Sequence, residues 1–386
     1  MAKSEFPELR VPVYKRAYRL VRLLVLLTVT LIVSVVVGGF GYQVYSSVQD
    51  AKNFPPPGQM VDVGGYKLHA QVFGEGSPTV VFECGLGNTS LDWAKVVPEI
   101  AKHTRVVIYD RAGLGWSERG PDPRTSEQAM RELRVLLDAL DIPGPYILAG
   151  HSLGGVNVRL FHFMYPGQVA GMVLIDSSHE DQHARFPAQI EDMMRSASST
   201  MRVFELLAYI GVPKLAVRVV GNSIVMPIPR QLSDEALAHV VRFNTTPKTL
   251  GTLADELEHA ETSFTQAREA GTDLGDLPLV VITAELSIQK MTLPPEIPTD
   301  EMVETWNALH VDLASRSTRG RRVIAEGSSH DVALDRPDVV IDAVLAVLRE
   351  VRSPALPAVE DPAPREPEAG VEAVDEAALW QERADL

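Results

Sequence analysis

Short apolar runs alternate with segments of helical spacing along most of the chain. Runs at residues 60–63, 67–73, 79–82, 105–109, 146–149, 172–175, 279–283 and 322–325 predict strands, the first two forming a hairpin around Gly64 and Gly65. Amphipathic segments at 91–101, 126–140, 152–165 and 337–349 predict helices. Strands alternating with helices imply a mostly parallel sheet with helices on both faces, an α/β fold. The alternation stops at Ser177 and does not resume until about Asp276. That interval is helical and rich in Met, Leu and Ala, with Pro187, Pro213, Pro227 and Pro229 as breaks, and it predicts an inserted cap over residues 177–276. The pattern contains no internal repeat.

The N-terminus has a different pattern. Residues 1–22 carry Lys3, Arg10, Lys15, Arg16, Arg19 and Arg22 against Glu5 and Glu8, and an uncharged apolar stretch follows over residues 23–45. About 20 apolar residues cross the hydrocarbon core, and the excess of basic residues before the span predicts a cytoplasmic N-terminus with the rest of the chain outside. A cleavable signal has a shorter apolar core ending in small residues of the A-x-A kind, which Gly38-Gly39-Phe40-Gly41-Tyr42 matches poorly, so an uncleaved signal anchor is favoured. Residues 46–58, ending Pro55-Pro56-Pro57-Gly58, read as a stiff linker, and residues 59–352 as the folded domain. Residues 353–386 turn to Pro, Ala and Glu and predict a disordered acidic tail, in which Val371, Val374, Ala378 and Leu379 could line one short helix.

Composition narrows the classes. A 45% hydrophobic fraction is that of a globular protein, and the single cysteine, Cys84, rules out an internal disulfide. A formal net charge of −15 argues against nucleic acid as a partner, because phosphate binding needs a basic face.

The chemistry concentrates at Gly150-His151-Ser152-Leu153-Gly154, between a predicted strand and a predicted helix. A serine on such a turn stands on a strained elbow with its hydroxyl raised above the sheet edge, and the glycines give the room the turn needs. A serine hydroxyl is a poor nucleophile until a base takes its proton. His330, in Gly327-Ser328-Ser329-His330-Asp331 after the last predicted strand, is carried to the same edge and is the candidate base. Two N–H donors are needed for an oxyanion, and the backbones of Leu153 and of Leu86, in Gly85-Leu86-Gly87, are the candidates.

Taken together, the Gly85-Leu86-Gly87 loop, the turn Asp110-Arg111-Ala112-Gly113-Leu114-Gly115-Trp116-Ser117, the elbow at Ser152 and the late His330 resemble the α/β-hydrolase superfamily, in its order, over residues 61–351 apart from the cap. The resemblance implies a Ser-acid-His order, a cap that shapes the pocket, and neither metal nor cofactor. Family members often have His before the oxyanion glycine, where this chain has Cys84. Members commonly carry the acid after the strand read here at 279–283, but that loop is Ala284-Glu285-Leu286-Ser287, with serine where aspartate is expected. The haloalkane dehalogenase branch places the acid at the end of the strand after the nucleophile helix, which Asp176 matches. Asp176 is therefore the first candidate, Glu285 the alternative, and Asp300 or Glu301 follow. Dehalogenases and epoxide hydrolases of the superfamily use aspartate at the elbow, whereas a serine forms an acyl-enzyme at a carbonyl.

A competing signal is His179-Glu180-Asp181-Gln182-His183, which fits H-E-x-x-H and on a helix would set two histidines on one face for zinc, with no convincing third ligand. His151 reads as a packing residue. Sequons at Asn88 and Asn244 matter only in a glycosylating host. The expectation is a membrane-tethered serine hydrolase of esters or lipid-like acyl substrates, facing outward. The alternatives are acyl transfer to another acceptor, amide or lactone hydrolysis, zinc hydrolysis through His179 and His183, and a catalytically silent binding module.

Overall fold

The computed structural model describes residues 13–221, 232–291, 293–295 and 297–353. Residues 1–12 of the segment 1–22 expected to be cytoplasmic, Pro227, Pro229 and the tail from residue 354, with its possible short helix, lie outside the described residues.

Helix α1 runs Val13–Asn53, 41 residues, and contains the apolar stretch of residues 23–45, long and apolar enough to cross a membrane. It continues past the expected end of the span, so the linker shortens to residues 54–58. Residues 46–53 hold no Pro or Gly to stop the helix, and Asp50 is held by Lys214 at 2.7 Å and Arg242 at 3.1 Å.

The sheet has eight strands: β1 Gln59–Asp62, β2 Lys67–Phe73, β3 Thr79–Glu83, β4 Val106–Tyr109, β5 Tyr146–His151, β6 Val169–Ile175, β7 Leu279–Ala284 and β8 Gly320–Ala325. Their order is β1-β2-β4-β3-β5-β6-β7-β8, with β2 antiparallel to both neighbours and β3 to β8 parallel. Alternate residues of each buried strand serve two cores. Tyr146 and Leu148 pack under α3 (Ser126–Ala139) and α4 (Leu153–Met164), while Ile147 and Ala149 pack under the other face with α13 (Pro337–Arg352).

One expected helix is absent as such. Residues 91–101 form a 3₁₀ turn, Ser90–Trp93, and a separate four-residue helix, α2 Val97–Ile100. Pro98 has no N–H for an interior helical hydrogen bond and is accepted only in the first turn of a new helix, so the segment breaks before it. Two helices were missed: α11 Thr299–Ser315, which crosses from β7 to β8, and α12 Val332–Asp335.

Between β6 and β7 the chain builds α5 Gln182–Arg185, α6 Ala188–Tyr209, α7 Val212–Val220, α8 Asp234–Phe243, α9 Pro247–Glu258 and α10 Ala260–Ala270. Proline marks the starts: Pro187 caps α6, and α7 and α9 carry Pro in their first turns.

Candidate active site

The elbow forms where β5 turns into α4. Ser152 takes φ 53° and ψ −123°, a conformation that costs a side-chain-bearing residue about 1–3 kcal/mol. Its surroundings fix it: Ser152 N donates to Ile175 O at 3.1 Å, and Gly155 N and Ser178 N donate to Ser152 O at 2.9 and 3.0 Å. A Cβ on Gly150 would strike the Gly154 carbonyl, and one on Gly154 would strike the Glu83 carbonyl. The helix can start this close to the sheet only with glycine at both places.

Asp176 follows the last residue of β6, is fully buried and has φ 40°. Its Oδ2 lies 2.6 Å from His330 Nδ1 and accepts from Ser287 Oγ at 2.6 Å. Its Oδ1 accepts from Ala284 N and Trp306 Nε1, each at 3.0 Å. Burial works against the Asp176 charge, but the hydrogen bond and charge of His330, with His310 and Ser287, outweigh it and hold the carboxyl below the usual range. His330 shows the mirror effect. Burial alone would lower its pKa, and the hydrogen bond to Asp176 and that residue's charge raise it above the ordinary value. His151 Nε2 donates to His330 O at 2.9 Å; burial, with the nearby His330 charge, lowers its pKa to about 3 and keeps it neutral.

The structure thus brings Asp176 to His330 and leaves the other acid candidates elsewhere. Glu285 is exposed and accepts from Gly327 N at 2.7 Å, and Asp300 and Glu301 are exposed in the first turn of α11. Ser287 stands where an acid is expected after β7, and its hydroxyl donates to the carboxylate supplied by β6.

The Leu86 loop is braced from beneath by a buried cation. Arg111 donates to Cys84 O at 2.6 Å and Gly85 O at 2.7 Å, and pairs with Glu83 at 3.0 Å and Glu256 at 2.8 Å. Glu256, on α9, also accepts from Gly87 N at 2.9 Å, so the inserted helices tie down the loop. Cys84, where a His is frequent, points into the core and accepts from Trp93 Nε1 at 3.1 Å. Among the described residues, neither the Leu86 nor the Leu153 N–H has a protein acceptor.

Ser152, Leu86, Leu153 and His330 open on one cavity of about 270 Å³ between the sheet edge and the inserted helices. Met193, Met194, Met291, Met302, Phe264 and Trp306 are among the side chains of its largely apolar wall. The arrangement offers a hydroxyl, an imidazole held by a buried carboxylate, two free N–H donors and an apolar, adaptable chamber.

The H-E-x-x-H reading fails on geometry. Helix α5 starts only at Gln182, so His179 is not on a shared helical face with His183. His179 Nε2 lies 2.9 Å from Asp312 and its Nδ1 accepts from Asp181 N, whereas His183 faces Glu261 at 3.0 Å. Glu180 is locked between Arg159 and Arg316, each at 2.6 Å. Among the described residues no group of three or more His, Cys, Asp or Glu is set to hold a metal.

The sequence singled out Ser287 but not its hydrogen bond to Asp176, and it pointed to neither Trp306 nor Glu256. Trp306 and Glu256 lie on helices with no local signal of a role, whereas Arg111 stood inside a turn already singled out.

A sequence model described as the alpha/beta hydrolase family matches residues 80–343, about two thirds of the chain. Among curated relatives, YqjL of Bacillus subtilis, an uncharacterised protein, is 26% identical over 71% of this chain and 85% of its own length. The probable transporter efuK of Hormonema carpetanum is 34% identical over 33% of this chain, which spans only 20% of that relative. Among solved structures, the epoxide hydrolase CorEH superposes with a TM-score of 0.53 at 19% identity, over 76% of this chain and 98% of its own, a likeness of fold alone. The strand order, the glycine-bounded elbow and the match over residues 80–343 agree, and the chain belongs to the alpha/beta hydrolase family.

Proposed function

We propose that the chain is a membrane-tethered serine hydrolase that cleaves carboxylic esters or similar acyl substrates through an acyl-enzyme. The observation that carries this is the 2.6 Å contact of His330 Nδ1 with the buried Asp176, in a cavity shared with the strained Ser152. Ser152 Oγ attacks the substrate carbonyl carbon while His330 Nε2 takes the hydroxyl proton, and Asp176 stabilises the imidazolium that results. The Leu86 and Leu153 N–H groups hold the oxyanion. Collapse breaks the bond to the alcohol, which leaves with the proton from His330. Water then attacks the acyl-enzyme, His330 takes its proton, and the acid departs as Ser152 is restored.

Serine at the elbow separates this chemistry from that of family members in which an aspartate attacks carbon to open an epoxide or expel halide, forming an alkyl-enzyme ester. The methionine-rich, apolar wall favours acyl chains over charged substrates. The basic residues before the α1 span support a cytoplasmic N-terminus with the hydrolase outside.

The test is hydrolysis of a p-nitrophenyl ester series by the full chain, with fluorophosphonate labelling. Ser152→Ala is expected to abolish labelling and lower kcat by about 10⁴-fold or more, Asp176→Asn by about 10⁴-fold, and Glu285→Gln to stay near wild type. Full activity in Ser152→Ala would sink the proposal.

A further inference from the structure

The outer end of α1 is packed against the corner between α6 and α7. A Cβ on Gly39 would stand 2.5 Å from Ile210 O, and one on Gly211 would stand 2.7 Å from Tyr42 Cδ1, so the two backbones approach closely. Above this contact, Lys214 of α7 reaches Asp50 at 2.7 Å and Ser46 at 3.3 Å, which fixes α7 beside the helix.

The depth of that corner follows from helix geometry. A hydrocarbon core of about 30 Å takes about 20 residues at 1.5 Å each. Counted from Arg22, the last basic residue before the span, it ends close to Tyr42. The α6–α7 corner therefore sits at the outer hydrocarbon boundary. Tyr42 meets Gly211 at this corner, with Tyr209 two residues before Gly211 and Tyr45 about one turn further along α1, and tyrosine favours a membrane interface.

What α6 and α7 expose there is apolar. Leu206 is 69% exposed, Leu215 53%, Val219 75% and Val220 62%, with Phe204 and Tyr209 beside them. Lys214 is turned inward to α1, which leaves Arg218 as the exposed cation of α7. An apolar patch of this kind beside water is unfavourable, and next to a membrane span it is continuous with a surface already in lipid.

We propose that the α6–α7 corner is a second membrane contact, its apolar face resting in the outer leaflet beside α1. The contact seats the inserted helices, which wall the Ser152 cavity, against the bilayer. It rests on the reading that α1 spans the membrane.

The test uses the full chain in phosphatidylcholine vesicles, with spin labels on Leu206→Cys, Leu215→Cys and Val219→Cys. The native Cys84 is buried and does not compete for label. Val29→Cys, inside the span, and Lys102→Cys, on the exposed surface of the hydrolase, are the references. The ratio of oxygen to nickel-chelate collisions at Leu206→Cys and Leu215→Cys is expected to rise severalfold over that at Lys102→Cys, towards that at Val29→Cys. Ratios equal to that of Lys102→Cys would overturn the proposal. So would shielding from both reagents that persists in detergent and vanishes on dilution, because a second copy would then cover the face. If Val29→Cys itself reads as water-exposed, the tether reading has failed, and the two failures are told apart.

Discussion

At the scale of the residue, the proposed mechanism makes Asp176 and His330 the pair that sets how the site responds to pH. A base must be neutral to take the Ser152 proton, and His330 is raised above its ordinary 6.5, with burial opposing and Asp176 driving the shift. The acid limb of kcat/KM is therefore expected above pH 6.5 in the wild type. In Asp176→Asn, burial acts on His330 without the countercharge, and the limb should move below that value. Stability follows the same pair. The His330 contribution is fully present below 6.5 and is lost as pH rises through its raised folded value. That of Asp176 is present above 3.8 and is lost as pH falls through its lowered folded value. Thermal melts should thus separate wild type from Asp176→Asn most between pH 3.8 and 6.5. A limb that does not move in Asp176→Asn would show that another group sets the His330 charge.

At the scale of the element, what was legible in the sequence and what was not divide along physical lines. The buried strands of the parallel sheet read directly, because burial on both faces makes each a short continuous apolar run. The elbow read directly as well, since backbone collisions on both sides leave glycine no substitute. Helix α11 did not, because it starts from a loop rich in proline and puts apolar residues on both the sheet side and the cavity side, which blurs its period. The pairing of Asp176 with His330 joins residues 154 positions apart; no local pattern encodes it, and only the resemblance to the haloalkane dehalogenase branch pointed to Asp176. The same holds for Glu256, which reaches the Leu86 loop across 169 positions. Glu256→Gln weakens both the Gly87 hydrogen bond and the charge partner of Arg111, and breaking a buried pair of this kind costs about 3 kcal/mol. It should lower the unfolding free energy measured in urea and reduce kcat more than it raises KM, since in the proposed mechanism the Leu86 donor acts on the transition state. Unchanged kcat with lowered stability would show that the brace supports the fold alone.

At the scale of the whole molecule, the same inserted helices face two ways. Met193 and Met194 of α6 wall the Ser152 cavity, and Leu206 near its far end lies on the apolar face beside α1. Between α6, α7 and α9 lies a further, mostly apolar cavity of about 220 Å³, lined by Phe204, Val212 and Leu253 among others. Leu253 packs against Gly87 of the loop that carries Leu86, so this cavity and the Ser152 cavity share a wall. With the α6–α7 corner in lipid as proposed, a charge placed on it is drawn out, which lifts the cap from the bilayer without touching Ser152, His330 or Asp176. The double variant Leu206→Glu/Leu215→Glu is therefore expected to hydrolyse p-nitrophenyl acetate in solution at the wild-type rate. On a long-chain ester presented in phosphatidylcholine vesicles its rate should fall severalfold, through a higher apparent KM rather than a lower kcat. An equal fall on both substrates would point to a disturbed fold, and no fall on either would mean that the enzyme takes its substrate from water.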